Sequence, residues 1–183
     1  MNTPLPPWTV LRSRIAFEDR WVRLRADDCV TADGHVVAPY YVLDYPDWTA
    51  LVAIDGHGRI LLVEQYRHGL GGLSLELPGG VVDEAEDVLA AARRELREET
   101  GHVGGDATRI ASLSPDPAKL SNRCEVVLIR GVLPGAAPAD DPTERVRLRF
   151  ATPAEARRMV RDGSILHGVH VAALTLALEA AGL

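Results

Sequence analysis

The chain has 183 residues, enough for one good hydrophobic core and too few for two full-sized domains. Hydrophobic residues make up 46% and charged residues 25%, close to globular averages, so a chain disordered throughout is excluded. The formal net charge of −6 argues against a nucleic-acid-binding surface, and an acidic protein that handles an anionic substrate needs cations at its site.

In chain order, residues 1–19 read as a mobile lead with three prolines before Val10. That lead lacks the apolar run of a signal peptide, and nothing later reaches membrane-spanning length, so a cytoplasmic location and no membrane partner are expected. From Arg20 to Tyr45 the pattern is strand-like on both sides of Asp33-Gly34, a turn signal, which predicts a small hairpin unit. Trp48–Ile54 and Arg59–Gln65 predict a second strand pair, and Leu73–Leu77 a short strand. Asp83–Thr100 predicts a helix. Arg123–Val132 and Arg145–Phe150 predict further strands, separated by a surface loop over Leu133–Thr143. Pro153–Arg161 predicts a helix with Thr152 as N-cap, and Val169–Ala181 a second, apolar one. This order implies an α/β sandwich around a mixed sheet, not a regular βαβ succession. The expected division is residues 1–45, a lead plus strand unit, and residues 46–183, the main domain. Cys29 and Cys124 lie far apart without metal-ligand spacing and are expected to be free thiols.

The chemistry concentrates in the helix over 83–100. Asp83 and Glu86 have capping-box spacing, and Gly101 suits a C-cap. At about 100° per residue, with Val88 as reference, Ala92 lies near +40°, Glu95 near −20° and Glu99 near +20°. Two glutamates therefore share the apolar face, with Glu98 at its edge, while Arg93 and Arg97 point away. An ordinary amphipathic helix puts its charges on the wet face. Acids one turn apart repel, and burying them without a partner costs several kcal/mol as an order of magnitude. A cation must compensate, and clustered carboxylates are the ligands that magnesium and manganese prefer. Arg94 and Glu98 have the spacing of an i,i+4 ion pair.

Gly80, Glu86 and Arg94-Glu95-Leu96-Arg97-Glu98-Glu99-Thr100-Gly101 stand at the spacing of the Nudix box, and the segment resembles it at every fixed position but the last, where His102 replaces an aliphatic residue. The resemblance implies a loop–helix–loop against a mixed sheet, with Glu95, Glu98, Glu99 and the carbonyl of Gly79 as ligands of Mg2+ (or Mn2+), and with Gly80, Glu86, Arg94 and Gly101 shaping the motif. The flanks Val63-Glu64-Gln65-Tyr66-Arg67, Glu76-Leu77-Pro78-Gly79-Gly80 and Asp116-Pro117, with the strand unit after Arg20-Trp21, are similar to the ADP-ribose and nucleoside-diphosphate-sugar pyrophosphatases.

That likeness implies metal-dependent cleavage of a nucleoside diphosphate linked to another group, with ADP-ribose giving AMP and ribose 5-phosphate as the leading substrate and GDP-mannose next. It also implies a homodimer built through the strand unit. Trp21 is expected either to stack on the base or to anchor the hairpin's own core. Arg67 is expected to meet a phosphate or the distal sugar, and Pro117 to wall the far end of the site. The general base is expected to be Glu144 on a later loop, or Glu98. A Nudix-fold module that senses a nucleotide without hydrolysing it is the alternative of a different class.

Overall fold

The structure, a computed structural model, describes residues 5–136 and 145–183. Their contacts divide the chain into two units: residues 1–45 with 116–122, and residues 46–115 with 123–183.

The first unit is a three-stranded antiparallel sheet of β1 (Thr9–Glu18), β2 (Arg23–Val30) and β3 (Val36–Leu43), in that order. The turn from β2 to β3 needs Gly34, whose φ of +84° few other residues tolerate. Segment 116–122 is tied to β3, where the Leu43 N–H donates to the Lys119 carbonyl at 2.7 Å and the Tyr40 hydroxyl donates to the Ala118 carbonyl. Residues 9–18 are thus a strand and not the mobile lead expected. Their order comes from pairing with β2, from Thr9 opposite Val30 to Glu18 opposite Arg23. All ten side chains are exposed, so β1 has no buried face whose alternation a sequence can display. Among the described residues, only Ala26 and Cys29 form the buried hydrophobic part of this unit.

The second unit is built on β4 (Trp48–Asp55), β5 (Ile60–Arg67), β6 (Gly72–Glu76), α1 (Val88–Thr100), β7 (His102–Val103), β8 (Asp106–Leu113), β9 (Cys124–Pro134), β10 (Val146–Ala151), α2 (Pro153–Arg161) and α3 (Gly168–Ala181). The sheet runs β10-β5-β4-β9-β7, with β6 on β5 and β8 on β9. β4 and β9 are parallel and the other pairs antiparallel.

Alternation along β4 splits the core. Leu51 and Ala53 face a cluster with Leu61, Val127 and Ile129 that Ala92 and Leu96 of α1 cover. Ala50, Val52 and Ile54 face the other way, into a cluster with Leu62, Val126 and the α3 residues Ala173, Leu174, Ala177 and Leu178. Each fully buried Leu, Ile or Val contributes about 1.5–3 kcal/mol, so both faces hold their helices firmly. The architecture is the α/β/α sandwich around a mixed sheet. No helix among the described residues is long and apolar enough to cross a membrane.

α1 begins at Val88, five residues later than expected. Its N-cap is Asp87, whose carboxylate accepts from the Leu89 and Ala90 N–H groups. Asp83 and Glu86 make the reciprocal contacts of a turn, and Ala85 between them, at φ +65°, turns the chain out of helical conformation before Val88. β7 and β8 lie where no strand was read. The expected loop 133–143 gives its first two residues to β9, and residues 137–143 lie outside the described residues.

Candidate active site

Residues 78–82 run alongside β4 as though they were a further strand. The Thr49 N–H donates to the Gly80 carbonyl and the Leu51 N–H to the Pro78 carbonyl, both at 2.8 Å, and the Val82 N–H donates to the Asp47 carbonyl at 2.9 Å. This clamp requires glycine at 79, because a Cβ there would lie 1.9 Å from the Thr49 carbonyl oxygen.

The same loop receives the helix carboxylates. Glu99 Oε2 accepts from the Gly79 N–H at 2.8 Å. The Glu95 carboxylate occupies the space a Cβ of Gly80 would take, 2.4–2.7 Å from its position. Glu95 and Glu99 both line one cavity of about 840 Å³. Glu98, at the helix edge, is 40% exposed. Gly101 closes α1 in the left-handed conformation at φ +69°, its N–H donating to the Arg97 carbonyl.

Arg94 is the cation among these acids. Its guanidinium reaches Glu86 at 2.9 and 3.1 Å, Glu95 at 2.6 Å and Glu98 at 3.3 Å. The hydrogen bonds to Glu86 raise the Arg94 pKa most and in turn hold the Glu86 carboxyl below the usual carboxylate range. The expected Arg94–Glu98 pair is present, but Arg94 serves three carboxylates at once.

The donor set fits a hard divalent cation. Oxygen donors from Glu95, Glu98 and Glu99 sit on one face and edge of α1, a positive charge already lies among them, and the glycines leave room beside them. As the side chains stand, no three acidic, histidine or cysteine groups among the described residues converge on one point. Glu95 and Glu98 turn to Arg94, and Glu99 turns to Gly79.

The cavity continues past Arg67. The Arg67 Nε and Nη2 donate to both oxygens of Glu76 at 3.0 and 2.7 Å. Burial pushes the Glu76 carboxyl up, but the hydrogen bonds from Arg67 and Ser74 outweigh it and hold the pKa below the usual range. The side-on fork of Arg67, expected to meet a phosphate or the distal sugar, is engaged here by a buried carboxylate.

Beyond that pair lie Trp48, His167 and His170, to which the sequence reading assigned no role. The two imidazoles stack with centroids 4.2 Å apart, and the Trp48 ring meets them at 5.7 and 5.6 Å. Their spacing of three at the start of a helix was the available signal, since it places both rings on one face. The Leu77 N–H donates to His170 Nδ1 at 3.2 Å. Burial, followed by the charge of His167, depresses the His170 pKa to about 3, so the ring is neutral near pH 7.

Trp21 and Pro117 belong to the first unit. Trp21 is 70% exposed, with the Arg20 guanidinium 4.1 Å from its ring centroid, so it does not anchor the hairpin's core. The Asp19 carboxylate fixes its turn by accepting from the Trp21 and Val22 N–H groups. Glu144 lies outside the described residues.

The NUDIX domain family matches residues 45–168, and the nucleoside diphosphate sugar hydrolase N-terminal domain matches residues 8–43. The chain is 32% identical to an ADP-ribose pyrophosphatase of Mycobacterium tuberculosis over 79% of this chain and 71% of the relative. It is 29% identical to the ADP compounds hydrolase NudE of Escherichia coli over 69% of this chain and 66% of the relative. In six of the curated matches the chain spans only 26% to 66% of the relative's own length. A solved structure of an ADP compounds hydrolase superposes with a TM-score of 0.86 over 99% of both chains at 24% identity, a likeness of fold. Helix carboxylates laid on a two-glycine loop, in a chain whose residues 45–168 match the NUDIX domain, lead to one conclusion: the chain belongs to the Nudix family.

Proposed function

We propose that the protein is a divalent-metal-dependent pyrophosphatase acting on a nucleoside diphosphate joined to a sugar, with ADP-ribose as the preferred substrate and AMP and ribose 5-phosphate as products. The observation that carries this reading is the placement of Glu95 and Glu99 against the Gly79-Gly80 loop in the 840 Å³ cavity. The names of the relatives in M. tuberculosis and E. coli support the substrate class.

Glu95, Glu98, Glu99 and the Gly79 carbonyl would hold Mg2+, with Mn2+ as a substitute. When bound, the cation supplies neutralisation of the diphosphate charge and Lewis acidity toward phosphorus and the attacking water. The protein's own part is to hold and to deprotonate. Glu98, exposed at the helix edge, or Glu144 takes the proton of the attacking water. Glu76 orients Arg67, whose charge faces the substrate from across the cavity. Trp21 offers an exposed ring to a purine, and Pro117 restricts the segment that walls the far end.

Turnover of ADP-ribose, GDP-mannose, diadenosine polyphosphates and dGTP, compared at equal concentration with magnesium, tests this reading. ADP-ribose is expected to show the highest kcat/KM, and Trp21→Ala to raise its KM roughly fivefold, about 1 kcal/mol of lost stacking. A preference for dGTP or a dinucleotide polyphosphate overturns the substrate class. An unchanged KM in Trp21→Ala overturns the stacking role. No metal-dependent turnover of any nucleotide supports the sensing-module reading instead.

The first unit also bears on assembly. Val10, Leu11, Ile15, Phe17 and Tyr41 are all 42–61% exposed on a sheet with almost no core of its own. A second copy of the chain covers this surface in our reading, because so small a sheet is marginal in water alone. Sedimentation at micromolar concentration is expected to give a homodimer, and a stable monomer there refutes it.

A further inference from the structure

We propose that Trp48, His167 and His170 form the subsite for the polyhydroxylated group on the far side of the diphosphate, and that this wall sets which sugar is accepted. The inference rests on the pyrophosphatase reading above and adds to it the part of the chain that reads the leaving group.

The cavity is too large for a diphosphate alone. At about 840 Å³ it is in the range of pockets that enclose a whole small molecule. Glu95, Glu99 and the three rings line the same cavity within one unit of the fold, and so do Gln65, Ser74 and Glu76. Flat aromatic faces beside amide, hydroxyl and carboxylate groups match a sugar, which presents C–H groups on its faces and hydroxyls on its rim.

The rings are held in place. The Leu77 N–H, one residue before Pro78-Gly79, donates to His170 Nδ1 and ties that ring to the loop that receives the helix carboxylates. His167 stacks on His170 at an interplanar angle of 22°. His167 Nδ1 is buried and meets no hydrogen-bonding partner among the described residues; its own carbonyl acts on the ring without hydrogen-bond geometry. A buried polar atom left in that state costs free energy, and plain core packing does not require it. Half a turn of the ring about Cβ–Cγ exchanges Nδ1 with Cδ2 and presents the nitrogen on the ring's other edge. A hydroxyl suits either tautomer of a neutral imidazole because it both donates and accepts. A phosphate only accepts, and it would bring negative charge toward Glu76. Burial lowers the pKa of both histidines, which keeps the wall neutral.

The test uses two substrate sets. In the first, the nucleotide half is constant and the far group varies: ADP-ribose, ADP-glucose and diadenosine diphosphate. In the second, the sugar is constant and the base varies: ADP-glucose and GDP-glucose. His167→Ala is expected to raise KM for ADP-ribose about tenfold with kcat within about threefold, and to shift the ADP-ribose to ADP-glucose preference at least about fivefold. His167→Asn keeps an oxygen near the position of Nδ1 and is expected to recover most of that preference. Substitution here does not remove a helix cap, because the His167 side chain makes no capping bond. The thermal shift given by AMP alone is expected to match wild type in both variants. A uniform loss across the first set overturns the subsite. So does a shift in base preference, which would assign the wall to the nucleobase. A wild type that hydrolyses no nucleoside diphosphate sugar removes the underlying reading. An active wild type whose sugar preference survives His167→Ala removes this inference alone.

Discussion

Glu99→Gln is expected to lower kcat by roughly a hundredfold to a thousandfold, ~3–4 kcal/mol of transition-state stabilisation, with the fold intact. The amide oxygen can still accept the Gly79 N–H, so the loop keeps its anchor. What is lost is charge. Glu95 and Glu99 stand four residues apart on one helix face, where like charges repel, so removing one also relieves the helix. The melting temperature should therefore hold or rise slightly. Metal binding supplies an independent readout: the thermal shift with magnesium, present in wild type, should shrink in the variant. Near-wild-type turnover at saturating magnesium would falsify the assignment of Glu99 as a ligand.

How the carboxylates are displayed was legible because a helix converts spacing into direction. Glu95 and Glu99 line the cavity while Arg93 and Arg97 are exposed, as rotation by a fixed angle requires. The helix start was harder. Asp83 and Asp87 both have N-cap chemistry, and the choice falls to Ala85, whose positive φ turns the chain before the helix, and to Glu86, whose carboxylate is taken by Arg94. β1 was illegible for a different reason. Its ordering comes from backbone pairing with β2 and not from a buried face, so its sequence carries charge and apolar residues without alternation in burial. The wall of Trp48, His167 and His170 was hidden by distance along the chain. Leu77 and His170 meet across 93 positions, and no local pattern announces that contact.

The two adjacent loop glycines, Gly79 and Gly80, allow a second large effect to be separated from the first. Gly79→Ala places a methyl 1.9 Å from the Thr49 carbonyl oxygen, 2.9 Å from its carbon and 3.2 Å from the Ala50 Cα, all backbone. None of these atoms can step aside, because β4 is locked to β9 in parallel register from Trp48 to Asp55 and Thr49 is fully buried. The loop must lift instead. That movement breaks the Thr49–Gly80 and Leu51–Pro78 hydrogen bonds and the bond from Gly79 to Glu99. Three lost bonds at about 1 kcal/mol each, with the strain of the remaining fit, put the destabilisation at roughly 3–5 kcal/mol. At about 2–4 °C per kcal/mol for a chain of this size, the melting temperature should fall by roughly 6–20 °C. Gly80→Ala differs because the three atoms nearest its new methyl all belong to the carboxylate of Glu95, at 2.4–2.7 Å, the far end of a flexible side chain. That carboxylate can swing away, so the fold should survive with a small change in melting temperature while activity drops. Calorimetry and turnover measured on both variants separate the cases. A Gly79→Ala protein that melts like wild type shows that the loop is not clamped to β4, and a fully active Gly80→Ala shows that catalysis does not need Glu95 held over Gly80.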